Sequence, residues 1–245
     1  MRQWSRSVLP LPPACEQTRM LLSNRYNFLY VHIAKTGGTS VRAALKSLQW
    51  KDPYYVAQFI CSRLSHLTGH RIAAKLPRHS KVIAAMEMLP RDYFESLFKF
   101  AFVRNPWDLQ VSSYHHLKRE RPHLLDGHDS FEAFLRWKLN PERPWQYHRD
   151  TSITLQTDYL VDLHGRQVVD YVGHYETLHD DWSAICKRLG LPAPALPHKR
   201  HSTDRPRDFR SYYTDATAEL VATHFARDIQ MLGYRFDTDA AVVTG

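Results

Sequence analysis

A lysine, two glycines and two hydroxyls stand close together at Lys35, Gly37, Gly38, Thr39 and Ser40, inside the stretch FLYVHIAKTGGTSVRAAL (residues 28–45). Gly37 and Gly38 let the backbone turn sharply and approach a ligand closely. Thr39 and Ser40 fall where a helix begins, so orphan N–H groups and the positive end of the helix dipole face one point. A terminus of this kind is an anion cradle, and Lys35 adds a full charge to it. A second group lies in KFAFVRNPWDLQVSSY (residues 99–114), with Arg104 at a strand end and Ser112 on the helix that follows. An arginine fork beside a hydroxyl suits a phosphate with several oxygens. The structural alternative is Arg104 paired with Asp108 and Ser112 facing solvent. Together the two groups fit a dianionic nucleotide gripped at both ends. Neither spells an ordinary nucleotide fingerprint, because the lysine precedes the glycines, unlike GxxxxGK[ST], and no GxGxxG is present.

The elements that must hold these residues are legible in the apolar pattern. Phe28, Leu29, Tyr30, Val31 and Ile33 have the β-branched and aromatic content of a buried strand, and Val41, Ala44, Leu45 and Leu48 then repeat at helical spacing. KFAFV (99–103) is a second strand, followed by Asn105 as N-cap, Pro106 as first helical residue and a helix to about Lys118. Both units are strand–turn–helix, and their polar residues lie beyond the carboxyl ends of strands, the ligand-binding edge of an open α/β sheet. Further helices are expected over Val56–Leu67, from a Ser130 cap through Leu139, over Leu178–Leu189 with Gly190 at its stop, and over Asp215–Leu232. HSKVIAAMEM (79–88) reads equally as a helix or a short buried strand. Residues 141–157, with Trp145, His148 and Arg149, read as a loop over the site, and residues 160–172 as a hairpin around His164–Gly165. Prolines 192, 194 and 197 force an irregular connector into the basic patch KRHSTDRPRDFR (199–210). No repeat or composition break divides the chain, so one domain over 24–237 is expected, with an arm over 1–23 and a tail over 238–245.

The bulk numbers agree with a globular enzyme-sized domain: 245 residues, 43% hydrophobic and 24% charged, enough for a sizeable core. A formal net charge of +8 favours acidic partners such as nucleotides, sulfated or phosphorylated molecules, nucleic acid or an anionic surface. Cys15, Cys61 and Cys186 are odd in number and far apart, which argues against a disulfide framework or a zinc site and for a reducing compartment. No run of 18 apolar residues appears, and the first residues lack the apolar core of a signal peptide. A soluble, cytoplasmic protein is the expectation.

At the level of motifs, HIAKTGGTS resembles the 5′-phosphosulfate loop of sulfotransferases that use 3′-phosphoadenosine 5′-phosphosulfate (PAPS), and FKFAFVRNPWDLQVSSY resembles their 3′-phosphate motif. The similarity is to the family-2 group, which has bacterial members and Golgi carbohydrate sulfotransferases. It continues through YVGHYETL (171–178), LPHKRHS (196–202), YYTD (212–215) and FARDIQMLGYRF (225–236), and so covers about residues 26 to 237. The resemblance implies an α/β fold, a P-loop-like three-layer sandwich with a central, mainly parallel sheet flanked by helices. It also implies transfer of the sulfuryl group from PAPS to a hydroxyl of a carbohydrate or carbohydrate-bearing small molecule, without a metal and without nucleic acid. By the same resemblance Lys35 contacts the bridging oxygen between sulfate and phosphate. Thr36, Gly37, Gly38, Thr39 and Ser40 hold the 5′-phosphate, and Arg104 and Ser112 hold the 3′-phosphate. His79 stands where the family often places a histidine ahead of the second motif, and an imidazole suits the base that takes the acceptor's proton. His70 is its rival, and Ser202, Arg205 and Glu176 are further candidates near nucleotide or acceptor. Two positions depart from the family pattern: Ala34 replaces a proline before the lysine, and Leu109 stands where many members have arginine. An ATP-dependent kinase or a basic polyanion-binding module are the competing readings, the first lacking a clear carboxylate for magnesium.

Overall fold

The computed structural model describes residues 20–49, 51–53, 56, 57, 60, 61, 64, 77–191, 195–197, 206 and 208–237. In chain order its main elements are β1 (Leu21–Ser23), β2 (Phe28–Val31), α1 (Gly38–Gln49), α2 (Val82–Met88), α3 (Arg91–Ser96), β3 (Phe98–Val103), α4 (Pro106–Glu120), α5 (Phe131–Lys138), the single turn α6 (Tyr147–Asp150), β4 (Tyr171–His174), α7 (Leu178–Arg188), α8 (Asp215–His224) and α9 (Ala226–Leu232). The strands form a sheet in the order β1–β2–β3–β4. β1 is antiparallel to β2, while β2, β3 and β4 run parallel. The expected α/β sandwich with a mainly parallel sheet is therefore what the chain forms.

Strand periodicity explains the layers. Phe28 and Tyr30 of β2 and Phe100 and Phe102 of β3 face one side, against Val41 and Leu45 of α1 and Trp182 and Ile185 of α7. The alternate residues Leu29, Val31, Ala101 and Val103 face the other side, against Trp107, Val111 and Leu117 of α4 and Phe134 and Leu135 of α5. Covered on both faces, β2 and the Phe100–Val103 part of β3 are continuous apolar runs, as is usual for buried parallel strands. The expected caps form: the Asn105 side chain accepts from the Trp107 N–H at 3.0 Å, and Ser130 accepts from the Ala133 N–H at 3.1 Å.

Several expectations are corrected, and one open alternative is decided. Leu21–Ser23, expected as the end of an arm, pairs with β2 and belongs to the sheet. HSKVIAAMEM resolves to helix α2 from Val82, with Val82 and Ala85 buried. The hairpin reduces to one antiparallel bridge, Val161–Gln167, because the Asp162 carboxylate gathers the His164 and Arg166 N–H groups into a tight turn. Beyond Val169 the chain leaves that ribbon and pairs with β3. The last helix is broken at Phe225, whose ψ of 21° steps out of the helical run while its ring is fully buried. His70, Ser202 and Arg205 lie outside the described residues, as does part of the helix expected over Val56–Leu67.

One buried polar group holds the layer behind the second motif together. Lys138 is fully buried, and its ammonium donates to Gln110 Oε1 (2.8 Å), Ser113 Oγ (2.9 Å) and Ser152 Oγ (2.8 Å), using its three donors. Burial pushes its pKa well below the ordinary lysine value, against the pull of Asp150. This network ties α4 to the residues after α6. Lys138→Met is expected to cost about 2–4 kcal/mol, because buried acceptors lose their donor. Urea unfolding reads the loss as a lower midpoint at constant slope; a midpoint matching the parent's would show that the network does not stabilise the fold.

Candidate active site

The carboxyl ends of β2, β3 and β4 lie at one edge of the sheet, and three chain segments emerge there: residues 32–38, Arg104–Asn105 and Tyr175–Glu176. The first segment is an unusual turn. Lys35 has φ 69° and Gly37 φ 81°, both in the left-handed region. Thr36 is fully buried, and its hydroxyl donates to the Ile33 carbonyl at 3.0 Å, so its side chain braces the loop and leaves only its main chain to face a ligand. Ser40 N–H donates to the Gly37 carbonyl at 2.9 Å and begins α1, with Thr39 and Ser40 half-buried at its first turn. A Cβ on Gly38 would lie 2.0 Å from His32 Nε2, and one on Gly37 2.9 Å from Leu178 Cδ2. Glycine at both positions is thus a steric requirement.

Arg104 joins the second motif to the first. Its Nη1 donates to the Lys35 carbonyl at 3.0 Å, while Nε and Nη2 meet Asp108 Oδ2 at 2.8 and 2.6 Å. The guanidinium lies 3.8 Å from the centroid of the Tyr175 ring. The backbone of Arg104 is also fixed, its N–H donating to Gln156 Oε1 and its carbonyl accepting from Gln156 Nε2. Burial draws its pKa down, but Asp108, Tyr175 and Glu176 outweigh that and hold it above the ordinary arginine value. The ion pair with Asp108 that the sequence offered as the alternative is therefore formed. It does not use up the group: a guanidinium has five N–H donors, and the contacts above engage three. Ser112 follows Asp108 by four residues on α4, so it continues the same helical face, half-buried. Glu176 lies inside the site: its Oε1 accepts from the Asn105 N–H at 2.7 Å and its Oε2 from the Tyr234 hydroxyl at 3.2 Å. It holds the start of α4 against β4.

On the other flank, His79 lies against His32, with ring centroids 4.6 Å apart. His79 Nδ1 is 3.0 Å from the His32 carbonyl, and Arg78 Nε donates to His32 Nδ1 at 2.9 Å. Burial pushes the His79 pKa down to about 4, partly offset by the bond to the carbonyl and reinforced by Arg78, Arg42 and His148. Tyr147, about half exposed, has its ring 6.4 Å from that of His79. The fold therefore brings Lys35, the loop to Ser40 and Arg104 into direct contact, with His79 packed on the residue that begins the loop. Sequence reasoning missed His32, Arg78 and Gln156. His32 stands inside HIAKTGGTS, and its place between an apolar strand and the loop was the signal available. Arg78 and Gln156 carry no local signal, since their partners lie 46 and 52 residues away.

A model of the sulfotransferase family matches residues 18–235. Carbohydrate sulfotransferase 10 of Xenopus laevis is 22% identical over 254 aligned positions, covering 90% of this chain and 68% of that protein. An uncharacterized protein of Archaeoglobus fulgidus is 33% identical over 99 positions, 40% of this chain and 72% of its own length. No solved structure gives a significant match. Among the described residues no helix is long and apolar enough to cross a membrane.

Proposed function

The chain belongs to the sulfotransferase family, and from that premise we propose that it moves the sulfuryl group of PAPS onto a hydroxyl of a carbohydrate or carbohydrate-bearing small molecule. The observation that carries the reading is the contact between the two motifs: Arg104 reaches the Lys35 carbonyl, so the loop and the second motif are joined, as gripping a nucleotide phosphorylated at both ends would require. Gly38 supports it, because the start of α1 lies so close to His32 that no Cβ fits. Packed there, the helix start has main-chain N–H groups of its first turn to offer a phosphate. The acceptor class is supported by the name of the Xenopus laevis relative and by the half-exposed Tyr147, whose ring lies beside His79.

In this reading the loop main chain from Thr36 to Ser40 holds the 5′-phosphate, and Lys35 stabilises the charge that grows on it as the bond to sulfur breaks. Arg104, through its remaining donors, and Ser112 hold the 3′-phosphate. His79 accepts the proton of the acceptor hydroxyl as its oxygen bonds to sulfur, and adenosine 3′,5′-bisphosphate leaves. Positioning and leaving-group stabilisation supply most of the acceleration, as in phosphoryl transfer.

Adenosine 3′,5′-bisphosphate is expected to raise the melting temperature more than AMP does and to bind more tightly. Arg104→Ala should narrow the difference between the two ligands by about 1.5–3 kcal/mol, the worth of a charge-assisted contact. Comparing two ligands on one variant cancels the structural loss of the Asp108 and Lys35 contacts. Equal affinity for both ligands in the parent protein would remove the 3′-phosphate role. Incubation with labelled PAPS and a panel of glycans, aminoglycosides, lipids and phenols then identifies the acceptor by product mass. Absence of any transfer, with salt-sensitive polymer binding in its place, would favour the polyanion-binding module.

A further inference from the structure

Two hydrogen bonds around His32 settle proton positions by chemistry alone. Arg78 Nε can only donate, so His32 Nδ1, 2.9 Å away, must accept, and the proton of a neutral His32 sits on Nε2. The His32 carbonyl can only accept, so His79 Nδ1, 3.0 Å away, must donate, which leaves Nε2 of His79 as a bare lone pair. His32 is 2% exposed, stacks on Tyr30 with centroids 5.6 Å apart, and has its Nε2 edge under Gly38 at the start of α1. One residue thus touches the donor loop with its ring and the candidate base with its backbone. Arg78, next in sequence to His79, fastens that segment to the ring.

We infer that His32 and Arg78 are positioning residues, which fasten His79 to the phosphosulfate loop as one rigid unit and present Nε2 of His79 as its proton-accepting nitrogen. This rests on the reading of His79 as the base. The groups facing His79 are Arg78 beside it, Arg42 from α1, His148 and Tyr147 from α6 and His32 from the end of β2. The charged ones are cationic, and with burial they keep His79 neutral well below the usual histidine midpoint. A base is active when neutral, so turnover falls only as pH drops through that low midpoint.

The test uses the whole chain labelled with ¹⁵N-histidine, with two-bond ¹H–¹⁵N correlations assigned by loss of signals in His79→Gln and His32→Gln. His79 is expected as the Nδ1–H tautomer and His32 as the Nε2–H tautomer, with His79 still neutral below a pH of about 6.5, the ordinary histidine midpoint. Arg78→Gln should raise the His79 midpoint, move the acid limb of kcat/KM with it, and lower kcat by about 10- to 100-fold, the scale of a misplaced catalytic group, with the donor KM nearly unchanged. Arg78→Lys keeps the charge but not the geometry of Nε, so the midpoint should stay low while kcat stays depressed. His79 found as the Nε2–H tautomer, an ordinary midpoint in the parent protein, or an Arg78→Gln variant with the parent's midpoint and kcat would each overturn the inference. If Arg78→Gln does not fold, the tautomers of the parent decide. Full turnover in His79→Gln would instead defeat the base assignment, and with it the inference that depends on it, whereas a wrong tautomer with an inactive His79→Gln defeats the positioning claim alone.

Discussion

Lys35→Ala is expected to lower kcat by a factor of about 10²–10³ or more, the scale seen when one preorganised donor is removed from developing negative charge. The expectation is specific because the contact that joins residue 35 to the second motif runs through its main chain. Arg104 grips residue 35 through its main-chain carbonyl, and that contact survives truncation. The left-handed backbone at φ 69° carries a cost of about 1–2 kcal/mol for any residue with a Cβ, and alanine bears it as lysine does. The melting temperature should therefore stay close to the parent's while transfer of labelled sulfate from PAPS collapses. Lys35→Arg keeps the charge but spreads it over a planar fork, so it should recover only part of the rate. Turnover near the parent's in Lys35→Ala would sink the leaving-group role.

Gly38→Ala places a methyl group closer to its neighbours than a Cβ at Gly37, Gly127, Gly165, Gly173 or Gly190 would lie. The added carbon would lie 2.0 Å from His32 Nε2, 2.2 Å from its Cδ2 and 2.8 Å from the Tyr30 hydroxyl. His32 cannot swing away easily, since Tyr30 and His79 lie against its ring and Arg78 holds its Nδ1. Either the start of α1 lifts off the sheet or the buried ring is displaced, and both cost about 3 kcal/mol or more. Gly165→Ala is the contrasting control, with a conformational penalty and no clash. Its φ is 77°, and nothing lies within 4 Å of the point a Cβ would occupy, so it carries only the conformational penalty of about 1 kcal/mol. Urea midpoints of the two variants should separate clearly, and only Gly38→Ala should lose turnover. Gly38 is not in the left-handed region, so equal destabilisation would mean that its approach to His32 does not decide the residue.

Much of this site is legible in the chain alone. Lys35, Gly37 and Gly38 declare a tight loop, Asn105 and Pro106 declare a helix start, and both sit after apolar strands; these are local effects of sterics and capping. The same local logic fails where distant partners decide. Thr36 has the position of a phosphate ligand, yet its hydroxyl turns inward to Ile33. Lys138 has the setting of a solvated lysine at a helix end, yet its ammonium is buried among Gln110, Ser113 and Ser152. The hairpin around Gly165 is kept only as one bridge, Val161–Gln167, because β3 offers residues 171–174 a longer ladder.

By itself the sequence determined the strand–loop–helix units and their order, because backbone conformation at glycine, proline and capping residues depends on near neighbours. Tertiary structure decided how those units meet. Arg104 closes on the Lys35 carbonyl across 69 residues, and His32 meets His79 across 47. Such contacts depend on sheet register and buried side-chain packing, which bring chemically complementary groups together without leaving a local pattern in the chain.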